Sequence, residues 1–71
     1  MDPETPHQWQ EAVDIAQGFL VLESARLFGL VKGGPKVNVD RCEYILAEGR
    51  KRGYLPATDA AEKVAIALAG G

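Results

Sequence analysis

The sequence predicts an all-α fold, a small three-helix bundle with a long first helix (about 5–29) and a helical hairpin (about 39–52 and 59–69). Three observations lead to this prediction. Apolar residues recur at helical spacing in three segments, and glycine- and proline-rich connectors separate these segments. No segment of useful length shows the alternation of apolar and polar residues that is typical of a strand. With 71 residues, 46% of them hydrophobic, the chain suits one small helical domain over 1–71.

The first helix begins at a capping motif and carries two apolar stripes. Thr5 is a suitable N-cap, Pro6 suits the first helical position, and Gln8 lies where a capping-box partner belongs. Gly29 is a natural terminator for this helix. The two stripes consist of Trp9, Val13, Ala16, Leu20 and Leu27, and beside them Ala12, Ile15, Phe19 and Leu22.

The length of this helix suggests self-association. About 24 helical residues extend for about 36 Å, whereas a compact domain of this size is only about 28 Å across. The helix therefore either breaks at Gly18 or overhangs the domain with its apolar face uncovered. We expect a second copy of the chain to cover that face and form a homodimer. The expected self-association residues are Trp9, Phe19, Leu22 and Phe28.

Local signals also bound the second and third helices. The segment 32–36 has the composition of a loop, Asn38 is a good N-cap, and Gly53 ends the second helix. Thr58 and Asp59 open the third helix. The residues expected to face inward are Val39, Cys42, Ile45, Leu46 and Gly49 on the second helix, and Ala61, Val64, Ala65 and Leu68 on the third.

The charge is modest in total and uneven along the chain. The net charge of −2 argues against a protein that coats nucleic acid by bulk charge. Residues 1–25 contain acids and no Lys or Arg, whereas most of the bases lie within 26–52. These two regions suit pairing within one chain or between copies, and the sequence leaves both open.

The basic residues are the expected contacts for an acidic protein partner or for phosphates: Lys32, Lys36, Arg50, Lys51 and Arg52. A simpler interpretation is also open, because positive charge complements the C-terminal end of a helix and the loop has ordinary turn chemistry. The third helix offers Lys63 among alanines and acids, which argues against reading of the major groove.

No residue pattern indicates catalysis, a cofactor or a metal. Cys42 and His7 are too few ligands for structural zinc, and Cys42 is expected as a buried small residue. No carboxylate pair or nucleophile–base set has catalytic spacing, so we expect no enzyme. No apolar run reaches the length of a membrane span, and the first residues lack the positive region of a signal peptide. With its single free thiol, the chain is expected to be cytoplasmic and without a membrane partner.

The sequence thus predicts a non-enzymatic protein–protein interaction module. It would self-associate through the apolar face of the first helix and offer a basic turn to an acidic partner, as a small regulator or inhibitor does. The alternative is a small nucleic-acid-binding accessory protein that uses the basic 32–52 region on phosphates.

Overall fold

Three helices form the fold in a computed structural model that describes residues 2–34 and 36–70. They are α1 (Pro6–Leu27), α2 (Val39–Lys51) and α3 (Ala60–Gly70). No strand occurs within the described ranges, and α1 packs against both α2 and α3. The predicted all-α bundle is confirmed. Position 35 of the predicted loop lies outside the described residues.

The local signals at the ends of α1 behave as predicted. The Gln8 backbone N–H donates to the Thr5 hydroxyl oxygen at 3.1 Å, and the Gln8 side-chain oxygen accepts from the Thr5 backbone N–H at 3.1 Å. This pair is a complete capping box. At the other end Gly29 adopts a left-handed φ of 79°, and the Leu30 N–H donates to the Ala25 carbonyl at 2.9 Å. This Schellman turn ends α1 and reverses the chain.

The long helix does not break at Gly18, and the molecule is elongated along it. Its extents are 34 × 24 × 23 Å. A helix of 22 residues is about 33 Å long and therefore spans the whole long axis. The helix runs without interruption through Gly18.

The two shorter helices lie on different sides of α1. Gly49 near the end of α2 meets Val13 and Trp9, whereas Cys42 near its start lines one groove with Phe19, so α2 runs antiparallel to α1. Gly18 meets Ala60 and Val64 on α3, which runs in the same direction as α1. The backbones of α2 and α3 do not approach each other closely. The expected hairpin is therefore two separate helices held by a central one.

Two glycines on the helix contacts make this arrangement compact. A Cβ built on Gly18 would overlap Val64 Cγ2 and would lie 2.8 Å from the Ala60 carbonyl oxygen. A Cβ on Gly49 would overlap Val13 Cγ2. Both positions therefore require the smallest residue for the neighbouring helix to come this close.

The buried core lies mainly between α1 and α2. Its members are Trp9, Val13, Ala16, Cys42 and Ile45. On α3 only Ala60 and Val64 are buried, so the prediction that Ala65 and Leu68 face inward is wrong, as is the same prediction for Val39. Ala65 and Leu68 are exposed because α1 is the one helix among the described residues that packs against α3, and one neighbouring helix covers only a narrow strip of another.

Candidate protein-interaction site

The structure separates the four residues expected to mediate self-association. Trp9 is only 7% exposed and belongs to the core of its own chain, so it offers no surface to a second copy in this conformation. Phe19 and Leu22 are half-buried on α1. Phe28 is 82% exposed at the end of the helix. Of the four, Phe28 is the one presented fully to the outside.

The side chains around Phe28 form an exposed apolar end, consisting of Leu27, Phe28 and Leu30. Leu27 is 75% exposed and Leu30 is 79% exposed. The inward position expected for Leu27 is wrong because α2, at about 20 Å, is much shorter than α1 and does not reach this turn. Leu30 is not among the residues that the sequence predicts for self-association. The local signal was Gly29, whose left-handed turn ends the helix and projects the residues on either side.

A second apolar feature is an open trough along α1, which α3 and the loop after α1 bound in one half and α2 and Pro3 bound in the other. It comprises two adjoining grooves of about 280 and 400 Å³ that share Phe19 and Val37. In the first groove the apolar lining includes Leu22 on α1, Val31 in the loop, and Leu68 on α3. The second groove continues along α1 over Ala12, Ile15 and Ala16, beside Cys42 and Ile45 of α2. Phe19 and Leu22 therefore lie within a lined depression.

Cations surround this trough. Arg26 and Lys32 line the first groove, and Lys36 and Arg41 line the second. Glu23 is the one acid lining either groove among the residues described, and it forms an ion pair with Arg26. Neither Lys32 nor Lys36 forms an ion pair with any described residue. The trough is therefore apolar at its base and positively charged at its edges.

Arg41 also fixes the segment that precedes α1. Its guanidinium Nη2 lies 3.0 Å from the Asp2 carboxylate, and its carbon Cζ lies 5.4 Å from the centre of the Tyr44 ring. The Tyr44 hydroxyl lies 3.5 Å from the same carboxylate. Asp2 therefore ties the N-terminal segment to α2, next to the second groove.

The basic turn at the end of α2 is largely occupied with its own chain. Arg52 Nη1 donates to the Glu48 carbonyl at 3.0 Å and to the Glu48 carboxylate at 2.9 Å. The Arg52 guanidinium also lies 4.5 Å from the centre of the Trp9 ring, which suits a cation–π contact. Lys51 Nζ lies 3.8 Å from the same Glu48 carboxylate, whereas Arg50 has no ion pair with a described residue. Arg52 thus serves to cover the core.

The structure therefore divides the predicted basic residues into two groups. Lys32 and Lys36 precede α2, whereas Arg50, Lys51 and Arg52 end it. The 13 residues of α2 separate the groups by about 20 Å. The five cations therefore form two groups at opposite ends of α2.

Other chemical groups are isolated from one another. Cys42 is a free thiol among core residues, and burial raises its pKa above the ordinary value. His7 lies 3.6 Å from Glu11 in an exposed contact. In the part of the chain that the structure describes, no three His, Cys, Asp or Glu side chains lie close enough to hold a metal ion. No helix there is both long and apolar enough to cross a membrane.

Comparisons with family models, curated proteins and solved structures found no match for the chain.

Proposed function

We propose that the chain is a non-enzymatic interaction module that forms a homodimer through the exposed apolar end and binds an acidic protein partner through its cations. The observation that carries the proposal is the exposure of Leu27, Phe28 and Leu30, three large apolar side chains at one turn. Burying such side chains against a second copy is favourable by about 1.5 to 3 kcal/mol each.

The size of the chain also supports association. A 71-residue domain buries only about 60% of the surface of its unfolded chain, so its own core gives limited stability. Association stabilises the folded state by mass action. The free thiol at Cys42 suits a reducing compartment, and we propose a cytoplasmic location on that ground.

The experiment is the solution mass by light scattering over a dilution series, for the wild-type chain and two variants. Phe28→Asp places a charge in the exposed apolar end. Leu55→Asp is the matched control, because Leu55 is 64% exposed but lies near Gln10, towards the opposite end of α1. We expect a dimer for the wild type and for Leu55→Asp and a folded monomer for Phe28→Asp. A wild-type monomer at every concentration would refute self-association.

Nucleic-acid binding is the alternative, and salt dependence separates the two proposals. Contacts with phosphates weaken steeply as salt rises because counterions are released. Binding of single- or double-stranded DNA or RNA that disappears on changing Lys32 and Lys36 to Ala would support the alternative instead.

A further inference from the structure

We infer that the trough along α1 is the docking site for an acidic amphipathic helix of a partner protein. This inference depends on the proposed function only in taking the chain to be an interaction module with an acidic partner. It moves the partner's contact away from the basic turn at the end of α2. The trough combines an apolar base with cationic edges, whereas the basic turn 50–52 lines neither groove.

The shape of the trough suits a helix. It extends along α1 from Ala12 to Arg26, a distance of about 21 Å, which matches a helix of about 14 residues. The two grooves adjoin at Phe19 and Val37; the loop 31–34 and α3 bound the first, and Pro3 and α2 bound the second. A helix laid there would pack on α1 and complete a four-helix arrangement.

The lining specifies the buried face of the ligand. Phe19, Leu22 and Leu68 are apolar and only partly covered by their own chain. A helix that places large apolar residues at positions i, i+4 and i+7 buries them against such a surface. The two grooves, of about 280 and 400 Å³, have room for a few side chains each.

The cations along the trough indicate that the outer faces of the docked helix are acidic. The cations along the trough are Arg26, Lys32, Lys36 and Arg41, although the whole chain has a net charge of −2. Lys32 and Lys36 have no ion pair among the described residues, so carboxylates of a docked helix would add contacts without displacing existing ones. Complementary charge also fixes the direction of the docked helix and speeds its association.

The apolar base distinguishes this ligand from a nucleic acid. Interfaces with DNA are more polar and more positively charged than those between proteins, and single strands stack on aromatic side chains. Phe19 is the one aromatic residue that lines the trough among those described. An acidic amphipathic helix would pack its apolar side chains on the base and pair its carboxylates with the cations at the edges.

The first experiment selects ligands from a display library of helical 14-residue peptides against the immobilised chain. We expect the selected peptides to share apolar residues at i, i+4 and i+7 with Asp or Glu between them. Selection of basic peptides, or of no common pattern, would overturn the inference.

The second experiment measures the dissociation constant of one selected peptide by fluorescence anisotropy, with charge-reversed variants. Lys32→Glu with Lys36→Glu reverses two trough cations. Arg50→Glu with Lys51→Glu makes the same charge change at the far end of α2 and is the matched control. We expect at least a tenfold weaker affinity for the first pair and less than a threefold change for the second. The opposite result would place the partner on the basic turn, and would leave the proposed interaction module standing without the trough.

A third comparison tests the apolar base on one helix. Leu68 lines the trough and is 48% exposed, whereas Ile66 is 62% exposed and is not part of the lining. Circular dichroism checks that both variants remain folded. We expect Leu68→Asp to weaken the peptide at least tenfold and Ile66→Asp to leave its affinity within threefold. Equal affinities in the two variants would overturn the inference.

The oligomeric state of the variants shows which of the two proposals is wrong, the partner helix in the trough or the homodimer. If Leu68→Asp, rather than Phe28→Asp, converts a dimer to a monomer, a second copy occupies the trough and the partner helix is excluded as its ligand. If the wild-type chain is a monomer and still selects acidic amphipathic peptides, the trough stands and the proposed dimer does not.

Discussion

Gly18 of α1 lies so close to Val64 of α3 that a side chain on the glycine would occupy the same space as the valine methyl group. The Ala60 carbonyl oxygen is also near, since it would lie 2.8 Å from a Cβ at position 18. These two contacts set the distance between the helices. Because α3 has few other buried residues, its position depends strongly on this one point.

The first prediction concerns Gly18→Ala. Overpacking costs about 1–3 kcal/mol, and the better helix propensity of Ala returns about 1 kcal/mol. We expect a net loss of up to about 2 kcal/mol in the free energy of unfolding, measured by urea denaturation. Adding Val64→Ala to the variant should cost less than the sum of the two single changes, because the methyl group in conflict is removed. A more stable Gly18→Ala chain would contradict the packing described.

The second prediction concerns the cover over the core tryptophan. Arg52→Ala removes the guanidinium from the Trp9 ring, and a contact of this kind contributes about 0.5–2 kcal/mol. We expect a loss of about 1 kcal/mol and a red shift of the fluorescence of Trp9, the single tryptophan of the chain. Arg50→Ala is the control and should change neither quantity, because Arg50 makes no contact of this kind with a described residue. Equal effects of the two variants would argue against the stacked arginine.

The third prediction concerns the attachment of the 52–59 connector to α1. The Asp14 carboxylate accepts from the Ala57 backbone N–H at 2.9 Å and from the Gln10 amide at 3.1 Å, and that amide donates to the Leu55 carbonyl at 2.7 Å. Asp14→Ala leaves the Ala57 donor without this acceptor, which costs about 1–3 kcal/mol.

The matched control for Asp14 is Glu11→Ala, one turn earlier on the same helix. The ion pair of Glu11 is with the exposed His7, so we expect a change below about 0.5 kcal/mol. Both variants are to be compared by thermal unfolding at the same pH. A larger loss for Glu11→Ala than for Asp14→Ala would contradict the role assigned to the connector.

The fourth prediction follows from the raised pKa of the Cys42 thiol, which burial causes. The native state keeps the thiol protonated at a pH where the unfolded chain ionises it. Stability from this group is therefore complete at neutral pH and falls as the pH rises above about 8.5. The difference in unfolding free energy between the wild type and Cys42→Ala should decrease over that range. The contributions of the other titrating groups are the same in both proteins and cancel in this difference.

Alkylation provides a second measurement on Cys42. Iodoacetamide reacts with the thiolate, so we expect slow labelling of the folded chain at about pH 8 and fast labelling in urea. Labelling at the same rate in both conditions would show that the thiol is exposed and would remove the basis for the pH dependence.

The ends of the helices were predictable because their causes are local. Thr5 and Asn38 are N-caps whose partners lie three residues further along, and the sequence contains both members of each pair. The glycines that end α1 and α2 are equally local signals.

The positions of the helices relative to α1 were not predictable from apolar spacing alone. The pattern favoured the large apolar stripes as the contact surfaces, whereas α3 packs at Gly18, where the sequence analysis considered a break in the helix. The sequence predicts Trp9 on a dimer surface, because apolar spacing does not show the residues that cover its ring. These residues, Tyr54 and Arg52, lie more than 40 positions away along the chain. Such contacts depend on tertiary packing.

The arrangement of two helices on separate sides of a central one has a consequence for cooperativity. The α1–α2 pair holds the cluster around Val13, whereas α3 contributes only Ala60 and Val64 to the buried residues. Of the three helices, we therefore expect α3 to open at the lowest free energy, with α1 and α2 still paired. Its amide hydrogens should exchange with solvent before those of the other helices, and one wall of the trough opens with it.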